Sequence, residues 1–161
     1  MDLLLASTSP IRGTLLANAG VPYTAVAPEV DEGALKAVHQ GSDAELATVL
    51  AEAKALSVAS RRSDVLVIGS DSVVAVDGRR FSKPVGRDNA AQHLRFFSGK
   101  RMQLTSAVAL ASGGTVDWST AQTANLQVRP LSEEFIQNYL DAEWPEVSYC
   151  VGVFRLEGPG V

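Results

Sequence analysis

One stretch of the sequence carries the residue types best suited to chemistry. Residues 65–68 form an unbroken aliphatic run, typical of a strand covered on both faces, and Asp71 puts a charge where that strand is predicted to end. Gly69 has no side chain, so a ligand could approach the backbone there. The Asp-Gly pair at 77–78 predicts a hairpin turn that carries Lys83 back towards Asp71. The structural alternatives are a turn-forming Asp71 and a solvated Lys83.

A second polar group lies between the first predicted strand and the first predicted helix. Residues 3–6 predict a buried strand, and Ser9 and Pro10 suit the N-cap and the first helical position. Arg12 falls in the first turn, where the helix dipole disfavours a cation unless an anion is also present. A phosphate bound by free backbone N–H groups would resolve that conflict. Alternatively, Ser7 caps the turn and Arg12 points into water.

Three carboxylates within four positions form a third group. Glu29, Asp31 and Glu32 repel one another unless a positive charge lies among them, and a divalent cation is one candidate. An acidic, solvated loop is the alternative. Lys54 borders the apolar seam of a helix predicted to begin with a capping box at Ser42. Its ammonium could extend to the surrounding water or reach inward to a phosphate.

Composition bounds the kind of protein. The 161 residues suit one domain with a sizeable core. A net charge of −4 argues against a surface that coats nucleic acid. Cys150 is the only cysteine, which excludes an intramolecular disulfide. No apolar run approaches the ~20 residues of a membrane span, and the first residues lack a signal-peptide pattern. We therefore expect a cytoplasmic protein with no membrane partner.

Strands and helices alternate irregularly along the chain, with hairpins among them, which predicts an α/β fold with a mixed central sheet. The helix after Ser9 is predicted to bury Leu15, Leu16 and Ala19 and to stop at Gly20. No internal repeat or linker divides the sequence.

Seven ordered motifs resemble the Maf family of nucleoside triphosphate pyrophosphatases. That resemblance implies a single domain over residues 1–161, with a mixed sheet flanked by helices and a nucleotide cleft between two lobes, related to the inosine triphosphate pyrophosphatases. Family members usually add a strand and a helix beyond the position of Val161, so a domain without them is expected. The motifs are LLLASTSPIRGTLL at 3–16, PEVDE at 28–32, LAEAKA at 50–55, VIGSDSVVAVDG at 67–78, SKP at 82–84, SGK at 98–100 and RPLSEEFIQNYL at 129–140.

The resemblance also implies a reaction and a site. Water attacks the α-phosphorus of a nucleoside triphosphate, which yields the monophosphate and pyrophosphate. Asp71 and Glu32 match the catalytic carboxylates and would also hold a divalent metal, with Mg²⁺ expected and Mn²⁺ the alternative. The residues that match the family's phosphate site are Ser7, Arg12, Lys54 and Lys83.

Substrate choice is implied by three further positions, Ile11, Ser72 and Glu157. The segment around Glu157 resembles the branch that acts on 7-methyl-GTP. Two departures stand out: Gly13 replaces a frequent arginine, and Cys150 replaces a common lysine. They leave open a second hypothesis, a non-catalytic nucleotide-binding regulator of cell division. A homodimer also stays open.

Overall fold

The computed structural model of the chain describes residues 2–62, 64–155 and 158–159. It confirms the predicted mixed α/β fold, a central sheet flanked by helices. The elements in chain order are β1 (Asp2–Ala6), α1 (Pro10–Asn18), β2 (Thr24–Val26), α2 (Glu32–Val38), α3 (Asp43–Ala59), β3 (Val65–Val76), β4 (Arg79–Phe81), α4 (Arg87–Phe97), β5 (Arg101–Ser112), β6 (Thr115–Gln127), α5 (Glu133–Glu143) and a short 3₁₀ turn (Glu146–Tyr149).

The sheet follows the order β2-β1-β3-β5-β6, and β4 also pairs with β3. β1 is parallel to both β2 and β3, whereas β4 is antiparallel to β3. β1 accompanies β3 as far as Gly69, and β4 pairs with it only from Val74 onward. Asp71 lies between these two pairings, inside β3. The prediction that Asp71 follows the end of the strand is therefore wrong, because the strand continues to Val76.

Residue contacts divide the chain into two compact units. The first comprises Met1–Ser72 and Thr105–Gln122, and the second comprises Val73–Leu104 and Thr123–Val161. The long strands β3, β5 and β6 each contribute residues to both units.

Helix α3 packs on β3 in the first unit with very little space between the two backbones. A Cβ atom at Gly69 would lie 2.1 Å from the carbonyl oxygen of Ala51 and 2.6 Å from the backbone nitrogen of Ala55. Gly69 is therefore covered by a helix, and the prediction that it leaves room for a ligand is wrong. The capping box between Ser42 and Glu45 begins α3 as predicted.

Helix α1 begins as predicted, with Ser9 at the N-cap and Pro10 at the first position, and Gly20 follows it with a φ of 70°. Its predicted buried face is wrong: Leu15 is 63% exposed, and Gly13 is the one buried residue of the helix. A Cβ atom at Gly13 would lie 2.3 Å from the hydroxyl oxygen of Tyr23. The helix therefore approaches its neighbour through a glycine, with the Tyr23 hydroxyl in the place where a side chain at position 13 would begin.

The second unit has an apolar core built from α4, α5 and the β3–β4 hairpin. Asp77 and Gly78 both have positive φ angles, 51° and 73°, as a primed hairpin turn requires. This confirms the predicted turn. Phe81 and Phe97 meet edge to face with ring centres 4.8 Å apart. The core of this unit also includes Leu94, Met102, Ile136, Tyr139, Leu140, Val147 and Val153.

Gly69→Ala should lower the free energy of unfolding by about 3 kcal/mol, because backbone atoms of α3 occupy the space a methyl group needs. Gly86→Ala is the matched control. No atom lies within 4 Å of a Cβ atom built at Gly86, whose φ of 173° suits any residue. Urea unfolding followed by circular dichroism measures both variants. Equal stability of Gly69→Ala and wild type would contradict the close packing of α3 on β3.

Candidate active site

A buried ammonium group bridges two carboxylates in the first unit. Lys54 is 5% exposed, and its Nζ lies 2.5 Å from Asp71 Oδ1 and 2.8 Å from Glu32 Oε1. Asp71 itself is 6% exposed. These three residues come from α3, β3 and the first turn of α2, so tertiary structure brings together side chains that are far apart in the sequence. We call Lys54, Asp71 and Glu32 the ion cluster.

The inward directions of Lys54 and Asp71 follow from the helical repeat of α3 and the two-residue alternation of β3. Lys54 lies on the buried stripe of α3 with Leu50, Ala51 and Val58, at three- and four-residue spacings. In β3 alternate side chains share a face, so Asp71 points the same way as Gly69, where α3 packs. The ammonium of Lys54 is therefore directed inward rather than to water, and it meets carboxylates.

The three clustered carboxylates use three different partners instead of one shared cation. Glu29 binds the guanidinium of Arg61, and Asp31 accepts a hydrogen bond from the backbone N–H of Ala34 at 2.9 Å, which caps α2. Glu32 alone joins the ion cluster. Among the described residues, no group of three or more histidine, cysteine or acidic side chains is arranged to hold a metal ion.

Glu32 stays ionised over the whole neutral range. Partial burial would raise its pKa, but hydrogen bonds from Lys54 and Lys36 outweigh that effect and lower the pKa to about 2. Lys36 lies one turn after Glu32 on α2, with its Nζ 3.0 Å from Glu32 Oε2. Sequence reasoning did not single out Lys36, although its i, i+4 spacing from Glu32 is the available signal.

Ser7 and Arg12 connect the start of α1 to the ion cluster. Ser7 is buried, and its hydroxyl oxygen accepts hydrogen bonds from the backbone N–H of Ser9 at 3.1 Å and from Arg12 Nη1 at 3.4 Å. Burial lowers the pKa of Arg12, while the negative charges of Asp71 and Glu32 act in the opposite direction. Arg12 is half-buried and bound to Ser7, so it does not simply point into water.

The other predicted site residues are placed less centrally. Ser72 follows Asp71 in β3 and so lies on the opposite face, where its Oγ is 3.0 Å from Ser106 Oγ. Ile11 is half-buried in the first turn of α1. Lys83 is exposed just after β4 in the second unit, so its part in phosphate binding stays a prediction. Glu157 lies outside the described residues.

The carboxylates of the ion cluster fit a divalent cation of the Mg²⁺ type. Mg²⁺ takes hard oxygen ligands and is commonly bound by one or two carboxylates, with water and substrate phosphates completing the shell. Glu32 and Asp71 supply two carboxylates that contact one ammonium, so the same space suits a positive charge. Metal binding here stays a prediction.

Parallel strands, a helix N-terminus after β1 and a cluster of paired charges define an α/β protein with a polar site beside the end of β1, where its parallel pairing with β3 stops. The chain belongs to the Maf-like protein family, whose model matches residues 2–161. This confirms the resemblance carried by the seven motifs.

Curated relatives match nearly the whole chain. The 7-methyl-GTP pyrophosphatase of Rhizobium meliloti (strain 1021) is 43% identical over 162 residues, which cover 99% of this chain and 81% of that protein. The nucleoside triphosphate pyrophosphatase of Sphingopyxis alaskensis is 40% identical over 166 residues, which cover all of this chain and 83% of that protein.

Among solved structures, the Staphylococcus aureus Ham1 protein matches with a TM-score of 0.47 and 14% identity, covering 78% of this chain and 70% of that chain. The dITP/XTP pyrophosphatase of Mycobacterium abscessus matches with a TM-score of 0.44 and 20% identity, covering 79% and 72%. The family assignment therefore rests on the sequence matches. Within the described part of the chain, no helix combines the length and the apolarity needed to cross a bilayer.

Lys54→Met should destabilise the protein by about 3–5 kcal/mol, because it leaves a buried carboxylate without its partner. Adding Asp71→Asn to Lys54→Met should recover part of that loss, since the unpaired charge is removed. Arg61→Met is the control: it breaks an exposed pair with Glu29 and should cost far less. Urea unfolding at pH 7 measures all three. A Lys54→Met variant no less stable than Arg61→Met would contradict a buried ion pair.

Proposed function

We propose that this chain is a nucleoside triphosphate pyrophosphatase, which hydrolyses its substrate to the monophosphate and pyrophosphate. Membership of the Maf-like family and the names of the relatives from R. meliloti and S. alaskensis support this reaction. The observation that carries the proposal is the buried contact between Lys54 and Asp71, with Glu32 on the same ammonium. Buried, paired ionisable groups of this kind are typical of catalytic sites.

We propose that Lys54, Arg12 and the backbone N–H groups at the start of α1 bind the phosphates. A lysine ammonium has three N–H donors; two point to Asp71 and Glu32, and the third can be donated to a phosphate oxygen. Arg12 carries five N–H donors, of which one contacts Ser7. The N–H groups in the first turn of α1 add a partial positive charge at the same end of the site. Lys83 is proposed to bind phosphate as a further cation.

Asp71 is proposed to accept the proton of the attacking water. Lys54 contacts Oδ1, which leaves Oδ2 as the oxygen that can receive the proton. The Lys54 ammonium holds the carboxylate in one orientation, so the base stays fixed while water approaches the α-phosphorus. Glu32 and Asp71 would hold Mg²⁺ or Mn²⁺, which when bound offsets phosphate charge and acidifies coordinated water.

A preference for 7-methyl-GTP is the finer proposal. It is supported by the segment around Glu157 and by the name of the R. meliloti relative. The 7-methylguanine ring is cationic and presents N1–H and an exocyclic amine. An ionised carboxylate can accept both hydrogen bonds and offset the ring charge, whereas uracil and thymine would present carbonyl oxygens to it.

Asp71→Asn should lower kcat by ~10²-fold or more, with a smaller effect on nucleotide affinity, because it removes the base but keeps the side-chain shape. Pyrophosphate release with Mg²⁺ is measured across a panel of nucleoside triphosphates, for wild type and variant. Asp64→Asn, an exposed carboxylate, is the matched control. If the wild type cleaves none of the triphosphates, the proposed reaction is refuted. If the kcat of Asp71→Asn is within a few-fold of the wild-type value, the general base is Glu32 instead of Asp71.

Wild type should cleave 7-methyl-GTP with a higher kcat/KM than dTTP or UTP, and Glu157→Gln should narrow that ratio by about 10²-fold, since it removes the charge that matches the methylated ring. Steady-state kinetics with the three substrates measures the ratio. Glu134→Gln, an exposed glutamate on α5, serves as the control. If the wild type cleaves UTP as well as or better than 7-methyl-GTP, the proposed nucleobase preference is refuted, but the proposed pyrophosphatase reaction is not.

A further inference from the structure

Two lysines hold the carboxylate of Glu32, one on each oxygen. Lys54 Nζ lies 2.8 Å from Oε1, and Lys36 Nζ lies 3.0 Å from Oε2. The Lys54 side chain is 7% exposed, whereas that of Lys36 is 42% exposed. A single carboxylate therefore separates the buried ammonium of the ion cluster from an ammonium that is open to water. All three residues belong to the first unit.

Helix α2 places few constraints on the Lys36 side chain. Of its seven residues, Glu32 and Leu35 are half-buried and the other five are exposed. Among the described residues, Glu32 is the one ion-pair partner of Lys36. A lysine carries its ammonium on a flexible four-carbon chain with three donors, so the group can change partner while the helix stays in place.

The two contacts of Glu32 differ in how easily they exchange. Exposed ion pairs one turn apart on a helix contribute little to stability, because water solvates both partners when they separate. The contact of the buried Lys54 is costlier to break, since a buried charge that loses its partner is poorly solvated. A positive charge that arrives at Glu32 will therefore displace Lys36 and not Lys54.

The charge of a triphosphate gives the displaced ammonium a role. The site already balances the positive charges of Lys54 and Arg12 with two carboxylates, so bound phosphates require additional positive charge. A divalent cation at Glu32, as proposed, neutralises this carboxylate in place of Lys36. The Lys36 ammonium is then available to the phosphates, which lysine binds as a point charge.

We propose that Lys36 is a further polyphosphate-binding residue of the site. It pairs with Glu32 in this structure and contacts a phosphate oxygen when a divalent cation binds Glu32. This inference rests on the proposed function of the chain as a nucleoside triphosphate pyrophosphatase. The alternative is an i, i+4 pair that only stabilises α2. The two differ in their consequences, because an exchanging Lys36 opposes metal binding and favours phosphate binding.

The test compares Lys36→Met with Lys36→Arg, which keeps the charge, and with Lys100→Met as the matched control. Lys100 is 34% exposed and pairs with Asp77 at 3.1 Å, so its loss removes one positive charge from a similar ion pair in the second unit. Calorimetry measures the affinity for Mn²⁺ alone and for tripolyphosphate with Mg²⁺. Steady-state kinetics with nucleoside triphosphates gives KM and kcat.

Lys36→Met should weaken tripolyphosphate binding about tenfold, because a hydrogen bond between charged groups is lost. It should strengthen Mn²⁺ binding about fivefold, because a competing cation is removed from Glu32. We expect KM to rise about tenfold with kcat within about threefold, since the contact is made both before and during the reaction. Lys36→Arg and Lys100→Met should stay within about twofold of wild type in all these measurements.

An unchanged tripolyphosphate affinity in Lys36→Met, or equal losses in Lys36→Met and Lys100→Met, would overturn the inference. Unchanged or weaker Mn²⁺ binding by Lys36→Met would also overturn it, since Lys36 would then not compete for Glu32. If Lys36→Met fails to fold by circular dichroism, Lys36→Gln takes its place. If wild type cleaves no triphosphate, the proposed reaction fails by itself and the calorimetric affinities still decide the role of Lys36. A wild type that binds no tripolyphosphate would refute that role as well.

Discussion

The close approach of α3 to β3 at Gly69 is the constraint on which the site depends. The carbonyl oxygen of Ala51 lies where any side chain at Gly69 would begin. Lys54 follows Ala51 by about one helical turn, and Asp71 follows Gly69 by two residues on the same face of the strand. When the backbones of α3 and β3 are in contact, the Lys54 ammonium and the Asp71 carboxylate lie together in the layer between the helix and the sheet. A larger residue at 69 would lift α3 and separate them.

Burying the Lys54–Asp71 ion pair costs free energy of hydration, so its presence calls for an explanation. Charges taken out of water lose hydration, and their mutual attraction rarely gives a net gain over apolar packing. Here apolar residues of α3 and β3 surround the pair, and Glu32 supplies a second acceptor for the Lys54 ammonium. A low local dielectric strengthens every interaction that a bound phosphate would make. The first unit therefore maintains buried charges that its fold does not need, as expected of a site built for chemistry.

The sequence predicted features that are coded locally and missed those that depend on distant partners. The aliphatic run of β3, the Asp-Gly hairpin and the α3 capping box each have a signal within a few residues, and the structure confirms them. Helix α2 was missed because it is short and buries none of its residues. The ion-pair partners of Glu29 and Glu32 were not predicted, because Arg61 and Lys54 lie far along the chain, just after α3 and within it.

The charge balance of the site limits how a polyphosphate can bind. Two cations, Arg12 and Lys54, balance two carboxylates, Asp71 and Glu32, so these four charges sum to zero before any ligand arrives. A triphosphate brings close to four negative charges, whereas Lys36 adds a single positive charge beside Glu32. The excess must be offset by a metal ion that accompanies the phosphates or by cations outside this cluster, of which Lys83 is the predicted one. Without such compensation, a phosphate bound to Lys54 would compete directly with the two carboxylates that its ammonium now contacts.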